Sequence, residues 1–128
     1  MNKVKEIWIL VADDDRAHRD MLRANLEHAG YSVMEVTNGQ EAVRCVKTQH
    51  PDLVLMDMRM PEMDGLTATR IIRAMNRKDA KEIPIIALTA NALDEDVQRS
   101  MQAGLNAHLT KPVESEILYE TLESLIKA

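Results

Sequence analysis

The chain has no phenylalanine, one tryptophan, two tyrosines and one cysteine among 128 residues. One cysteine excludes an internal disulfide. Cys45 falls within a helical pattern, where a free thiol reads as a small core residue rather than a nucleophile. No apolar stretch approaches the roughly 18 residues of a membrane span and no signal peptide is evident, so the chain is expected in the cytoplasm and not in a membrane. Positive charge is also short: a net charge of −5 argues against a nucleic-acid or anionic-membrane partner, since either wants a basic face. No linker, repeat or low-complexity tract interrupts the sequence. Residues 1–128 are accordingly read as one domain, long enough to bury a substantial single core. The nine methionines are adaptable core fillers and are given no other role.

Aliphatic side chains carry the pattern instead. Apolar runs rich in Ile, Leu and Val recur at Ile7–Ala12, Leu53–Met56 and Ile83–Leu88. Short continuous runs of this kind suit strands covered on both faces, as in a parallel sheet. Ser32–Val36, which alternates, and Ala107–Thr110 are weaker candidates. Between them lie helical stripes. Met21, Leu22, Leu26 and Ala29 form the first, closed by Gly30 as a left-handed cap. Asn38 and Glu41 make a capping box that opens a second, with Ala42, Val43 and Val46 on its apolar face and Pro51 just beyond its end. Ala68, Ile71, Ile72 and Met75 form a third stripe. Leu93, Val97 and Met101 repeat every four residues until Gly104. Leu118, Leu122, Leu125 and Ile126 make the last, with Ser115 as its cap. Residues 75–82, "MNRKDAKE", read as a polar loop. Five alternating strand–helix units predict an α/β domain, a parallel sheet with right-handed crossovers and helices on both faces.

In an open parallel sheet, ligands bind beyond the carboxyl ends of the strands, near the point where strand order reverses. Asp13, Asp14 and Asp15 follow the first apolar run, Asp57 the third, Thr89 the fourth and Lys111 the fifth. The predicted sheet therefore gathers acids, a hydroxyl and a lysine along one edge. Two carboxylates about 5 Å apart repel by about 3 kcal/mol at an effective dielectric near 20. One lysine cannot offset three such repulsions, so either some carboxyls hold protons or a divalent cation sits among them. Hard oxygen ligands suit Mg²⁺, which keeps several waters and favours sites that also hold a phosphate. A carboxylate beside Mg²⁺, a lysine and a hydroxyl is equipped to attack phosphorus and hold an acyl phosphate. Taken singly, each residue has a plainer reading: the three consecutive acids a solvated turn or helix start, Asp57 a helix cap, Thr89 a turn hydroxyl, Lys111 a solvated cation. Their order, each after a separate apolar run, favours the chemical one.

The segments "ILVADDD", "LVLMDMRMPEMDG", "IIALTA" and "HLTKP" resemble, in order and spacing, the signature segments of the receiver domain of two-component response regulators. The likeness spans essentially the whole chain. It implies a flavodoxin-like (βα)5 fold with strand order 2-1-3-4-5. It implies Asp57 as phosphoacceptor, taking a phosphoryl group from a phosphohistidine on a histidine kinase or histidine phosphotransfer protein. By the same likeness Asp13 and Asp14 bind Mg²⁺ (or Mn²⁺) together with Asp57 and the backbone carbonyl of Arg59. Thr89 hydrogen-bonds the phosphoryl group, Lys111 ion-pairs with it, and Lys111–Pro112 is cis. Phosphorylation is expected to draw Thr89 inward and alter a surface of the fourth and fifth units, read by an output domain or protein, with a homodimer left open.

The segments "ALTANAL" and "GLNAHLTKPV" are most similar to receivers carried by hybrid histidine kinases. His108 departs from the pattern, standing where the family usually has Tyr or Phe as its switch residue; its plainer reading is an ordinary half-exposed histidine. Arg59 and Asn91 occupy positions that in the family influence how fast the phosphoryl group is lost. Two rivals stand beside this expectation. One is a phosphatase of the haloacid dehalogenase type, whose nucleophile lies in a D-x-D motif after the first strand, a pattern that "DDD" fits loosely. The other is a receiver-like interaction module that is never phosphorylated.

Overall fold

The computed structural model describes residues 6–90 and 104–126. Its strands are β1 (Trp8–Ala12), β2 (Ser32–Val36), β3 (Leu53–Asp57), β4 (Ile85–Thr89) and β5 (Ala107–Thr110), joined in one sheet in the order β2-β1-β3-β4-β5. All four pairings are parallel. The described helices are α1 (Arg16–His28), α2 (Gly39–Gln49), α3 (Gly65–Ala74), α4 (Lys78–Glu82) and α5 (Ser115–Ile126). Helical stripe Leu93, Val97, Met101 lies outside the described residues, as does Asn91.

Successive side chains of a strand point to opposite faces, and here both faces are covered. Leu10, Ala12, Val54, Met56, Ile85 and Ala87 pack under α2, α3 and α4, through Ala42, Val46, Ala68, Ile72 and Ala80. Ile9, Val11, Leu53, Leu55, Ile86 and Leu88 pack under α1 and α5, through Leu22, Leu26, Leu118 and Leu122. That double cover is why β1, β3 and β4 read as continuous apolar runs. Burial of each large aliphatic side chain contributes about 1.5–3 kcal/mol, so the register that keeps both faces apolar is strongly preferred. A slip by one residue would swap the two sets of side chains between faces and leave neither helix layer its partners.

Local signals explain the helix ends. The Asp15 carboxylate accepts from the N–H groups of Ala17 and His18 and starts α1. Gly30 takes φ 95° just past its end, as the left-handed cap requires. Asn38 caps α2 by accepting from Glu41 N–H. The reciprocal half of the capping box shifts by one residue, because the Glu41 carboxylate accepts from the N–H and hydroxyl of Thr37.

Four expectations are corrected. Residues 78–82 form the short helix α4 rather than a loop, because Ala80 is fully buried and its carbonyl takes a hydrogen bond from Arg73. The fourth strand starts at Ile85, not Ile83. Ile83 closes α4 through its N–H to Asp79, and Pro84 has no N–H to give a ladder. Ser115 is the first residue inside α5 rather than its cap, since Leu118 N–H already donates to the Glu114 carbonyl. On α3 the buried face is Gly65, Ala68, Thr69 and Ile72, whereas Ile71 is 38% exposed. Thr69 can be buried because its hydroxyl donates to the Gly65 carbonyl at 2.8 Å.

Candidate functional site

Strand order reverses between β1 and β3, whose carboxyl ends flank the crevice where such sheets bind ligands. Asp13 directly follows β1 and Asp57 is the last residue of β3. Thr89 ends β4, and Lys111 directly follows β5. The expected set is thus brought together. Carboxylate oxygens of Asp13, Asp14 and Asp57 all lie within 4.8 Å of one another, with Asp13 and Asp57 buried and Asp14 exposed.

The two buried acids are held by different groups. Lys111 Nζ lies 2.7 Å from Asp57 Oδ2 and 3.4 Å from Asp13. Arg59 N–H donates to Asp57 Oδ1 at 3.0 Å. Asp13 Oδ1 accepts from Asp15 N–H at 2.9 Å, and its Oδ2 lies 2.5 Å from His18 Nδ1. Arg19 donates to the Asp13 backbone carbonyl at 2.9 Å while its Nε reaches Glu35 on β2. Lys111–Pro112 is cis, as expected from the family pattern.

Behind these acids the packing is tight. A Cβ on Gly65 would stand 2.1 Å from the Asp57 carbonyl oxygen and under 3 Å from Met56 and Met58 side-chain carbons. Only glycine lets the start of α3 sit directly on the end of β3, which sets where Asp57 stands. Asp64 caps that helix through Thr67 N–H.

Burial pushes the Asp13 carboxyl upward, but the hydrogen bonds from His18 and Asp15 N–H and the charge of Lys111 outweigh it and hold the group at about 2. Asp57 moves the other way. Burial raises it, opposed by Lys111 and Arg59 N–H, and the charge of Asp13 adds to the rise. Burial works against the Lys111 ammonium, yet the two carboxylates overcome it and hold the lysine above its ordinary value. The members of the Lys111–Asp57 pair therefore do not mirror each other. The rise on Lys111 is the firmer mark of the pair, because Asp57 also feels a like charge.

One buried polar atom beside the acids stands out: Thr89 Oγ1 has no hydrogen-bond partner among the described residues. A buried hydroxyl left unpaired is costly, and this one ends a strand beside two acids and a lysine. Three oxygen donors in reach of one another fit a hard divalent cation. The unpaired hydroxyl fits an oxygen-rich group seated next to it. His108 is exposed on β5, and Arg59 is exposed in the open depression that it lines with Asp14, Met58 and Asp64. Sequence reasoning did not find His18 or Arg19. Both lie in the first turn that Asp15 caps, and that cap is the signal that would have turned them toward the strand end.

The fold and site define a doubly wound α/β domain with an acidic, lysine-paired centre at its topological switch point. Residues 9–123 match the response regulator receiver domain family. The chain belongs to that family, and it is a phosphoacceptor switch of two-component signalling. It is 31% identical over 118 residues to the polar-differentiation response regulator DivK of Brucella ovis, covering 92% of this chain and 94% of DivK. A probable histidine kinase of Oryza sativa subsp. indica is 30% identical over 98% of this chain, which spans only 16% of that kinase's length. Among solved structures, the receiver domain of sensor histidine kinase PA1611 from Pseudomonas aeruginosa PAO1 superposes with a TM-score of 0.89 at 40% identity, covering 97% of this chain and 100% of that one. That structure holds a magnesium ion coordinated in its active site cleft.

Proposed function

We propose that Asp57 is the residue that accepts the phosphoryl group, and that Asp13, Asp14, Asp57 and the Arg59 carbonyl hold Mg²⁺ beside it. The observation that carries this reading is the Asp57 carboxylate, buried at a strand end with Lys111 at 2.7 Å and two further acids within 4.8 Å. When bound, the cation supplies positive charge that offsets the repulsion among the carboxylates and the charge on the phosphoryl oxygens. An Asp57 carboxylate oxygen attacks phosphorus as the bond from phosphorus to the donor's imidazole nitrogen breaks, and the electron pair leaves with the imidazole. Lys111 stabilises the ionised nucleophile and then the phosphoryl charge. The Thr89 hydroxyl, unpaired among the described residues, donates to a phosphoryl oxygen and moves toward it, carrying the switch to the β4 and β5 side of the sheet.

The donor in this reading is a phosphohistidine on a histidine kinase or phosphotransfer protein, and the transfer chemistry and slow hydrolysis belong to the receiver itself. The 40% identity to the receiver domain of the Pseudomonas sensor kinase supports a receiver of the kinase-borne type. Asp13 is the poorer nucleophile of the two, since its carboxyl is held down at about 2 whereas that of Asp57 is raised and so is the more basic. That weighs against a phosphatase using the first acidic motif. Incubation with phosphoramidate or acetyl phosphate and Mg²⁺ is expected to add one phosphoryl group, and Asp57→Asn to abolish it. Labelling of Asp57→Asn at the unaltered rate, or label found on Asp13, would refute the assignment.

A further inference from the structure

His18 is a residue of the acid site that its place on a helix conceals. Its ring is 9% exposed, and Nδ1 lies 2.5 Å from Oδ2 of the fully buried Asp13. An ionised carboxylate can only accept, so Nδ1 carries the hydrogen. The opposite oxygen, Asp13 Oδ1, takes Asp15 N–H at 2.9 Å, and the Asp13 carbonyl takes Arg19 at 2.9 Å. Asp13 is thus clamped at both carboxylate oxygens and at its backbone, and rotating the carboxylate would break two bonds at once. The far side of the imidazole makes no such contribution. Nε2 is buried without a partner among the described residues. A leucine would fill that place with no unpaired nitrogen, so packing alone does not account for the ring.

We infer that His18 is a positioning residue for the metal site: its Nδ1–H fixes the Asp13 carboxylate in the orientation from which it binds Mg²⁺. The inference rests on the reading of Asp13, Asp14 and Asp57 as a cation site. Hydrogen-bond partners behind metal ligands typically change affinity by about 10–100-fold when removed. The side-chain nitrogen of asparagine stands at the same distance from the backbone as Nδ1 and can donate in its place, whereas leucine keeps the bulk and loses the donor.

The test is a calorimetric Mg²⁺ titration of the whole chain and of His18→Leu and His18→Asn, with metal-free thermal melts of each. His18→Leu is expected to bind Mg²⁺ about 10–100-fold more weakly, His18→Asn to keep most of the affinity, and the metal-free melting temperature of His18→Leu to fall while the melt stays cooperative, because the buried Asp13 carboxylate loses a donor. Unchanged affinity in His18→Leu, or equal weakening in both variants, would overturn the role of the hydrogen bond. If His18→Leu does not fold, ring ¹⁵N spectra of the unaltered protein decide instead: a protonated Nδ1 with and without Mg²⁺ supports the role, and an unprotonated Nδ1 overturns it. Failure of the unaltered protein to bind Mg²⁺ at all would bring down the cation reading and this role with it. Binding by the unaltered protein and by His18→Leu alike would bring down this role alone.

Discussion

Asp14→Asn isolates the mutual repulsion of the acids, because Asp14 is the exposed member of the trio and, among the described side chains, is not part of the Lys111 ion pairs. At the 4.8 Å limit of their separation, a pair of carboxylates repels by about 3.5 kcal/mol at an effective dielectric near 20 and about 0.9 kcal/mol in bulk water. Exposure of Asp14 draws the value toward the lower figure. Two pairs involve Asp14, so the amide should stabilise the metal-free fold by about 2 kcal/mol. In a domain of this size that raises Tm by about 6–12 °C. Mg²⁺ at a hundred times its Kd stabilises the unaltered protein by about 2.7 kcal/mol, and the variant, short of one ligand, should need far more Mg²⁺ for the same rise. The assay is thermal melting by circular dichroism, first with a chelator and then across a Mg²⁺ series. Added monovalent salt should narrow the metal-free gap, since it screens an exposed charge. An unchanged metal-free Tm together with an intact Mg²⁺ response would mean that the acids do not form a repelling cluster.

Three further outcomes are expected. Gly65→Ala should cost about 1–3 kcal/mol, because the new Cβ meets backbone that cannot swing aside; chemical denaturation that leaves the midpoint where it was would contradict the close seating of α3 on β3. Asp13, held at about 2 against an ordinary 3.8, is depressed on folding, so its stabilisation is full above the ordinary value and is lost as pH falls from about 4 to about 2, a loss of about 2 kcal/mol. Asp57 is raised and has the opposite sign, favouring the fold as pH falls through its elevated value toward 3.8. Metal-free denaturant melts between pH 6 and 2 should therefore show a rise before the acid loss, and Asp13→Asn should shrink that loss without removing it, since Glu41 and Asp79 are also held low by their hydrogen bonds. Arg59→Asn should hasten loss of the phosphoryl group if the guanidinium, which lines the depression with Asp14, shields phosphorus from water. Identical lifetimes, measured with Mg²⁺ separately in Arg59→Asn and Asn91→Glu and in the two combined, would exclude shielding by these side chains.

Much of the fold was legible because β1, β3 and β4 are buried on both faces and the helices on one. Val11, Leu55 and Leu88 belong to strands whose apolar character is visible without neighbours, and the groups after those strands revealed the site. What escaped depends on contacts across the chain. Helix α4 exists because Ala80 meets a core that no local pattern announces. Ile71 has the right spacing for burial, but the glycine at the start of α3 turns the helix so that Thr69 faces inward instead. His18 and Arg19 look like ordinary polar helix residues until the Asp15 cap orients their turn. Thr89 was legible by position, whereas its lack of a partner among the described residues was not, since an unpaired atom is a property of the packed molecule.

Lys111 reaches across 98 residues to Asp13 and 54 to Asp57, and it hangs from β5, a four-residue strand paired on one side to β4. Its grip on the two acids is therefore also part of what keeps that edge strand in place. By thermodynamic reciprocity, whatever free energy a change at Asp57 adds to or removes from the hold on β5 must be returned when β5 is itself restrained or pulled. The outermost strand and the innermost charges form one mechanical couple, and a load applied to either is weighed at the other.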